Sequence, residues 1–252
     1  VDLTHPDVTL SIQIYEDAAY LFIQKIKGPN GLPLGSSGRV LSLFSGGIDS
    51  PVAAHLMMKR GCRPDFVHFH LLANAQQVRE SKIVRMARQV MAPHRTSASL
   101  FVVSSAPLEA AMARVKAKET TVVCRRLIMR IANVIAQKQH ATALVTGESV
   151  GQVASQTLQN INVIARASEL PILRPLVGMN KQEIIRLAKD IGTYDISIEP
   201  YRDPCSIHAR NPATWAKLQD VCEVEAAVEI EALIEETLVD HVDEVPIRFE
   251  RP

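Results

Sequence analysis

The chain has 252 residues, 47% hydrophobic and 22% charged, enough to bury one good-sized core with a small appendage. A formal net charge of +1 demands neither a nucleic-acid nor a membrane partner, so any polyanion-binding surface has to come from local clustering. Four cysteines without a Cys-x-x-Cys pair argue against a disulfide framework or zinc site, and no apolar run approaches membrane-spanning length. The expectation is a soluble, cytoplasmic protein.

The predicted elements begin with a hairpin over residues 1–27. Val8, Leu10, Ile12 and Ile14 alternate, Glu16-Asp17 supplies the turn, and Tyr20, Phe22 and Ile26 mark one face of the return strand. A Gly-, Pro- and Ser-rich linker follows over 28–38. From Arg39 onward, strand-length apolar runs at 40–44, 66–72, 100–103, 144–145 and 171–173 alternate with helical patterns. One helix is expected over 76–91. A longer one carries the stripe Leu127, Ile128, Ile131, Ala132 and Ile135. Asn180 and Glu183 form a capping box for the helix bearing Ile184, Ile185, Ala188 and Ile191. After Trp215 the chain reads as helix to about Val239. This pattern predicts an α/β fold: a doubly wound, mostly parallel five-stranded sheet with helices on both faces, preceded by a short β-hairpin. The domain spans 39–222 and a C-terminal helical extension 223–252. In such a sheet, ligands bind beyond the carboxyl ends of the strands.

The stretch Leu43-Phe44-Ser45-Gly46-Gly47-Ile48-Asp49-Ser50-Pro51 joins the first of these strands to a helix. Pro51 suits the first helical position, with Ser50 or Asp49 at the N-cap. Two glycines allow close backbone approach, the geometry that cradles phosphate on N–H groups. The Lys-Ser/Thr ending of a Walker A loop is absent, and Asp49 is suited to hold Mg²⁺. The loop resembles the PP-loop of the ATP pyrophosphatases (adenine nucleotide alpha-hydrolase-like), which split ATP between its α- and β-phosphates.

Three further stretches extend the resemblance: Cys124 to Ala132, Thr146 to Thr157, and Glu199-Pro200-Tyr201-Arg202-Asp203-Pro204-Cys205. With the loop they are similar to the tRNA 4-thiouridine synthetase family over about 27–221, and residues 1–27 resemble the last two strands of its THUMP domain. The resemblance implies an ATP-dependent tRNA sulfurtransferase. ATP adenylates the C4 oxygen of a tRNA uridine, pyrophosphate leaves, and a cysteine persulfide then supplies sulfur.

By position, Cys205 matches the persulfide-bearing cysteine, and Lys181 a basic residue expected to neutralise phosphate charge. Leu43, Phe44, His68, Phe69, Arg125, Gly147 and Gln156 match nucleotide contacts, joined by Ser45, Gly46, Gly47, Asp49 and Ser50 of the loop. On sequence alone, His68 is equally a satisfied core histidine. Arg114, Lys116, Lys118, Arg126 and Arg130 form a basic region suited to tRNA phosphates, with a solvated helix face left open as the alternative. ATP and Mg²⁺ are the implied cofactors. The implied partners are tRNA, a sulfur donor such as a cysteine desulfurase or rhodanese-type carrier, and a second copy of the chain. A role in thiamine thiazole synthesis belongs to some family members. The rival from another class is a nucleotide- or tRNA-binding module without sulfur transfer.

Overall fold

The computed structural model describes residues 2, 4–26, 28, 30–71, 75–113, 118–201 and 212–249. The chain divides into two compact units, Val1–Gly31 and Leu32–Pro252. In the first, β1 (Ser11–Ile14) pairs antiparallel with β2 (Ala19–Phe22), Ser11 opposite Phe22 and Ile14 opposite Ala19. The Tyr15 amide donates to the Ala18 carbonyl and closes the turn around Glu16-Asp17. Its large apolar side chains, Ile12, Ile14, Tyr20 and Leu21 among them, stay exposed.

The second unit is built on a six-stranded sheet in the order β7-β6-β3-β4-β5-β8. In chain order these strands are β3 (Arg39–Leu43), β4 (Arg63–His70), β5 (Ala98–Ser104), β6 (Leu144–Val145), β7 (Ile172–Leu173) and β8 (Val242–Ile247). All pairings are parallel except β5 with β8. The sixth strand corrects the five expected, and residues 242–247 are therefore strand within what was read as a helical extension. Its Val245 and Ile247 are buried in the core; Glu244 and Pro246 on the alternate face are exposed, as is Asp243 at the start of the strand.

The helices are α1 (Asp49–Lys59), α2 (Ala75–Arg79), α3 (Lys82–Met91), α4 (Ala106–Met112), α5 (Thr120–Lys138), α6 (Leu158–Ala165), α7 (Lys181–Asp190), α8 (Tyr194–Ser197), α9 (Leu218–Ala227) and α10 (Ile230–Asp240). The single helix expected over 76–91 is two, because the Ser81 side chain accepts from the Ile83 amide and starts α3 afresh. The helix expected after Trp215 is also two, broken at Glu229, whose φ is 51°. Residues 32–38, read as linker, are bonded into the second unit: Leu32 N to Lys59 O (2.9 Å) and Gly35 N to Gly61 O (2.8 Å).

Alternate residues of the central strands enter opposite cores. Leu41, Val67, Phe69, Phe101 and Val103 pack with Val123, Leu127 and Ile131 of α5. Phe66, Leu100 and Val102 pack with Ile83, Met86 and Val90 of α3. Burial on both faces explains the continuous apolar runs, since a parallel sheet sandwiched by helices has no solvent side. Each such side chain stabilises the fold by about 1.5–3 kcal/mol. β3 pairs with β4 on one side and β6 on the other, so the strand order reverses there and a crevice opens at the carboxyl ends.

Candidate active site

That crevice is a cavity of about 290 Å³, walled by β3 and its loop, the end of β4, helix α5 and the segment after β6. The loop 44–48 closes on itself through two serines. The Ser50 hydroxyl accepts from the Ser45 amide (2.9 Å) and donates to the Ser45 carbonyl (3.2 Å), and the Gly47 amide donates to Ser45 Oγ (3.3 Å). Helix α1 begins at Asp49, with Ile48 at the cap position and no side-chain cap bond. The expected start at Pro51 is corrected by two residues. Ser50 is committed to the loop, and Pro51 still falls in the first turn, where its missing N–H has no helical partner. The uncapped first-turn amides and the positive end of the helix dipole therefore stand at the loop, an arrangement that attracts phosphate.

Two glycines are required by close approach. A Cβ on Gly46 would lie 2.7 Å from the Tyr201 ring, and one on Gly147 would lie 2.9 Å from the Asp49 carbonyl carbon. Gly147 thus lets the end of β6 lie against the start of α1. The capping box forms as predicted. Asn180 Oδ1 accepts from the Glu183 amide (3.0 Å) and Glu183 Oε2 accepts from the Asn180 amide (2.7 Å). This fixes the first turn of α7 so that Lys181 Nζ reaches Asp49 Oδ1 at 2.6 Å. The other Asp49 oxygen accepts from Gln152 Nε2 at 2.8 Å.

His68 Nδ1 donates to the Phe44 carbonyl, since that oxygen can only accept, and Nε2 accepts from the Tyr201 hydroxyl, both at 2.7 Å. Burial pushes the imidazole down to about 4, so the neutral ring is the form this network requires. Lys82, buried in α3, donates to the Ser197 and Glu199 carbonyls (2.7 and 2.6 Å) and holds the chain leading to Tyr201.

The cavity brings together Leu43, Phe44, Ser45, Asp49, Ser50, His68, Phe69, Arg125, Gly147 and Gln156. Gly46 and Gly47 stand in the adjoining loop. The basic region separates. Arg126 is not on the surface: it is buried, with Nε on Glu225 (2.7 Å) and Nη1 on the Val163 carbonyl (2.6 Å). Arg130, one helical turn on, shares Glu225 and also meets Glu231. Spacing of four residues puts both arginines against the acids of α9 and α10, which corrects the reading of Arg126 as a phosphate contact. Lys118 is exposed. Arg114, Lys116 and Cys205 lie outside the described residues. Of the remaining cysteines, Cys62 and Cys124 are buried and Cys222 is exposed.

Glu148, Gln152, Ile128, Met129 and Val153 also line the cavity, and the sequence reading placed none of them in the site. Glu148 is buried; its Oε2 accepts from Arg174 Nε (2.6 Å) and Thr146 Oγ1 (3.1 Å). Glu148 and Gln152 fall inside the quoted stretch 146–157, but Arg174 lies too far along the chain for any local pattern to have signalled it.

A family model described as "Thiamine biosynthesis protein (ThiI)" matches residues 35–230, well over half of the chain. The chain belongs to the ThiI family. A Finegoldia magna protein named "Probable tRNA sulfurtransferase" is 43% identical over 250 residues, which cover 98% of this chain and 63% of that protein. One of the same name from Moorella thermoacetica is 42% identical over 240 residues, 94% of this chain and 61% of the relative. The chain therefore spans a little under two thirds of the length of these ThiI-family relatives. A crystal structure described as a 4-thiouridine synthetase–RNA complex with bound ATP superposes with a TM-score of 0.87 at 34% identity, covering 98% of this chain and 65% of that one. The resemblance and the α/β fold read from the motifs stand. Among the described residues, no helix is long and apolar enough to cross a membrane.

Proposed function

We propose that this chain adenylates the C4 oxygen of a tRNA uridine with ATP, releases pyrophosphate, and completes 4-thiouridine with sulfur carried by Cys205. The observation that supports it most is the pairing of a lysine-free phosphate loop with a lysine brought from α7. Lys181 stands at Asp49 on the first turn of α1, where the outer phosphates of ATP would meet the loop amides. A positive charge there favours a departing pyrophosphate. Leu43, Phe44 and Phe69 provide apolar walls for adenine at the strand ends, and Arg125 lines the same cavity from α5. His68 serves through its hold on Phe44 and Tyr201, because both ring nitrogens are engaged.

In this reading the uridine O4 attacks the α-phosphorus as its bond to the pyrophosphate oxygen breaks. The uracil N3 proton is lost to solvent, and the outer sulfur of the Cys205 persulfide bonds to C4 as AMP departs. A second thiol then attacks the Cys205 sulfur, so that the S–S bond breaks with its electron pair on the base sulfur and a disulfide forms on Cys205. Asp49 is the loop's one carboxylate, and among the described residues no group of three or more His, Cys, Asp or Glu could hold a metal. Asp49 is the residue that would hold Mg²⁺ arriving with the triphosphate, by releasing an oxygen now shared with Lys181 or Gln152, and the ion would offset phosphate charge there. tRNA is the proposed substrate, and a desulfurase- or rhodanese-type donor and a homodimer are the proposed partners.

The test is tRNA-dependent formation of AMP, pyrophosphate and 4-thiouridine, the last by nucleoside mass spectrometry. Cys205→Ser is expected to abolish 4-thiouridine while ATP binding survives. Normal thiolation by that variant removes the cysteine assignment, and ADP with orthophosphate as products removes the whole reading.

A further inference from the structure

The proposed reaction uses Arg125 but leaves unexplained the buried carboxylate behind it. Glu148 lies at the end of β6 with one oxygen held by Arg174 and Thr146. Its second oxygen, Oε1, has no hydrogen-bond partner among the described residues, although it is buried. Arg125 Nη1 is 3.8 Å from Oε1, close enough for strong attraction across a low-dielectric wall but too far for a hydrogen bond. Among the described residues, Arg125 Nε likewise has no partner. The guanidinium thus stands at the cavity wall, drawn toward Glu148 by charge alone, with its planar fork of donors uncommitted to that carboxylate.

We propose that Glu148, clamped by Arg174 and Thr146, is the positioning residue that aims Arg125 at the reacting phosphate. This rests on the proposed function above. A carboxylate that took Arg125 in a bidentate pair would occupy the donors that phosphate needs. One that attracts it from 3.8 Å fixes where the charge sits and leaves the fork for the ligand. Arg174, more deeply enclosed than Arg125, offsets the cost of burying the Glu148 charge, so that removing Arg125 from its resting place does not leave that carboxylate alone.

The test is a double-mutant cycle read in the single-turnover rate of tRNA-dependent pyrophosphate release at saturating ATP and tRNA. Glu148→Gln is expected to slow release about 100-fold, the scale on which small misplacements of a catalytic group act. ATP affinity, measured by equilibrium binding, should change less than about threefold, because a misaimed arginine still attracts the ground-state polyanion. The deciding outcome is the combination: Glu148→Gln with Arg125→Met should be no slower than Arg125→Met alone. Additive losses, an unchanged rate in Glu148→Gln, or a loss lying wholly in ATP affinity each overturn the proposal. If Glu148→Gln fails to fold, Thr146→Val removes one clamp from the same carboxylate. It should slow release several-fold in the native background and not at all beside Arg125→Met. A wild-type protein that releases no pyrophosphate with tRNA would instead sink the proposed function itself.

Discussion

At the scale of single residues, the site depends on polar side chains whose partners are far away in sequence. Lys181 and Asp49 are 132 positions apart and 2.6 Å apart in space. The pair is partly exposed, so its contribution to stability is under about 1 kcal/mol, and the proposed function gives it its weight. Lys181→Met keeps a good helix former in the capping box and is expected to lower tRNA-dependent pyrophosphate release by about 100- to 1,000-fold with little change in melting temperature. A rate within about threefold of wild type would rule out charge stabilisation by this lysine. His68 makes a prediction about pH. Its folded value of about 4 lies below the 6.5 of the unfolded chain, so its contribution is fully present above that upper value. The contribution is lost as the unfolded state takes up a proton that the folded state refuses. Between pH 7 and pH 5 this amounts to about 2 kcal/mol. Urea unfolding at the two pH values should show it, and His68→Gln should lack it. Equal pH dependence in the two proteins would mean that other groups carry the acid sensitivity.

At the scale of elements, the loop 44–48 is shaped by two close approaches: Gly147, after β6, against the start of α1, and Gly46 against the Tyr201 ring after α8. Gly147→Ala tests the approach that is made to backbone. Its Cβ would meet the Asp49 carbonyl carbon at 2.9 Å and the Ser50 amide nitrogen at 3.0 Å, and neither backbone atom can swing aside. The variant should lose about 1–3 kcal/mol of stability and at least about tenfold in ATP affinity, measured by chemical denaturation and equilibrium binding. Full affinity with native stability would show that β6 and α1 can slide apart freely. Much at this scale was legible beforehand. The Asn180–Glu183 box is a local pattern of side chains three residues apart, and it formed as read. The start of α1 was not legible, because Ser50 was free to cap the helix or to close the loop, and contact with Ser45 decided between them.

At the scale of the whole molecule, the sheet is finished by a strand that returns from the C-terminal end of the described chain. β8 covers the β5 edge with six residue pairs, from Ala98–Ile247 to Val103–Val242, and inserts Val245 and Ile247 into the core shared with α3. Ile247→Ala should therefore cost about 2–4 kcal/mol by urea unfolding, as for other fully enclosed aliphatic side chains. A loss under about 0.5 kcal/mol, the level of a surface substitution, would show that β8 is not part of the cooperative unit.

What the sequence by itself determined is whatever rests on neighbours along the chain. Runs buried on both faces named the parallel sheet, Gly46 and Gly47 with their flanking strand and helix named the loop, and the clustered motifs named the family. Tertiary structure alone decided which charges meet. Arg126 was spelled as one more cation in a basic stretch, yet it is sealed against Glu225. Arg174 carried no signal, yet it holds Glu148 beside Arg125. The physical reason is one of range. Periodicity and capping act over a few residues, whereas an ion pair depends on where separate elements are carried by packing.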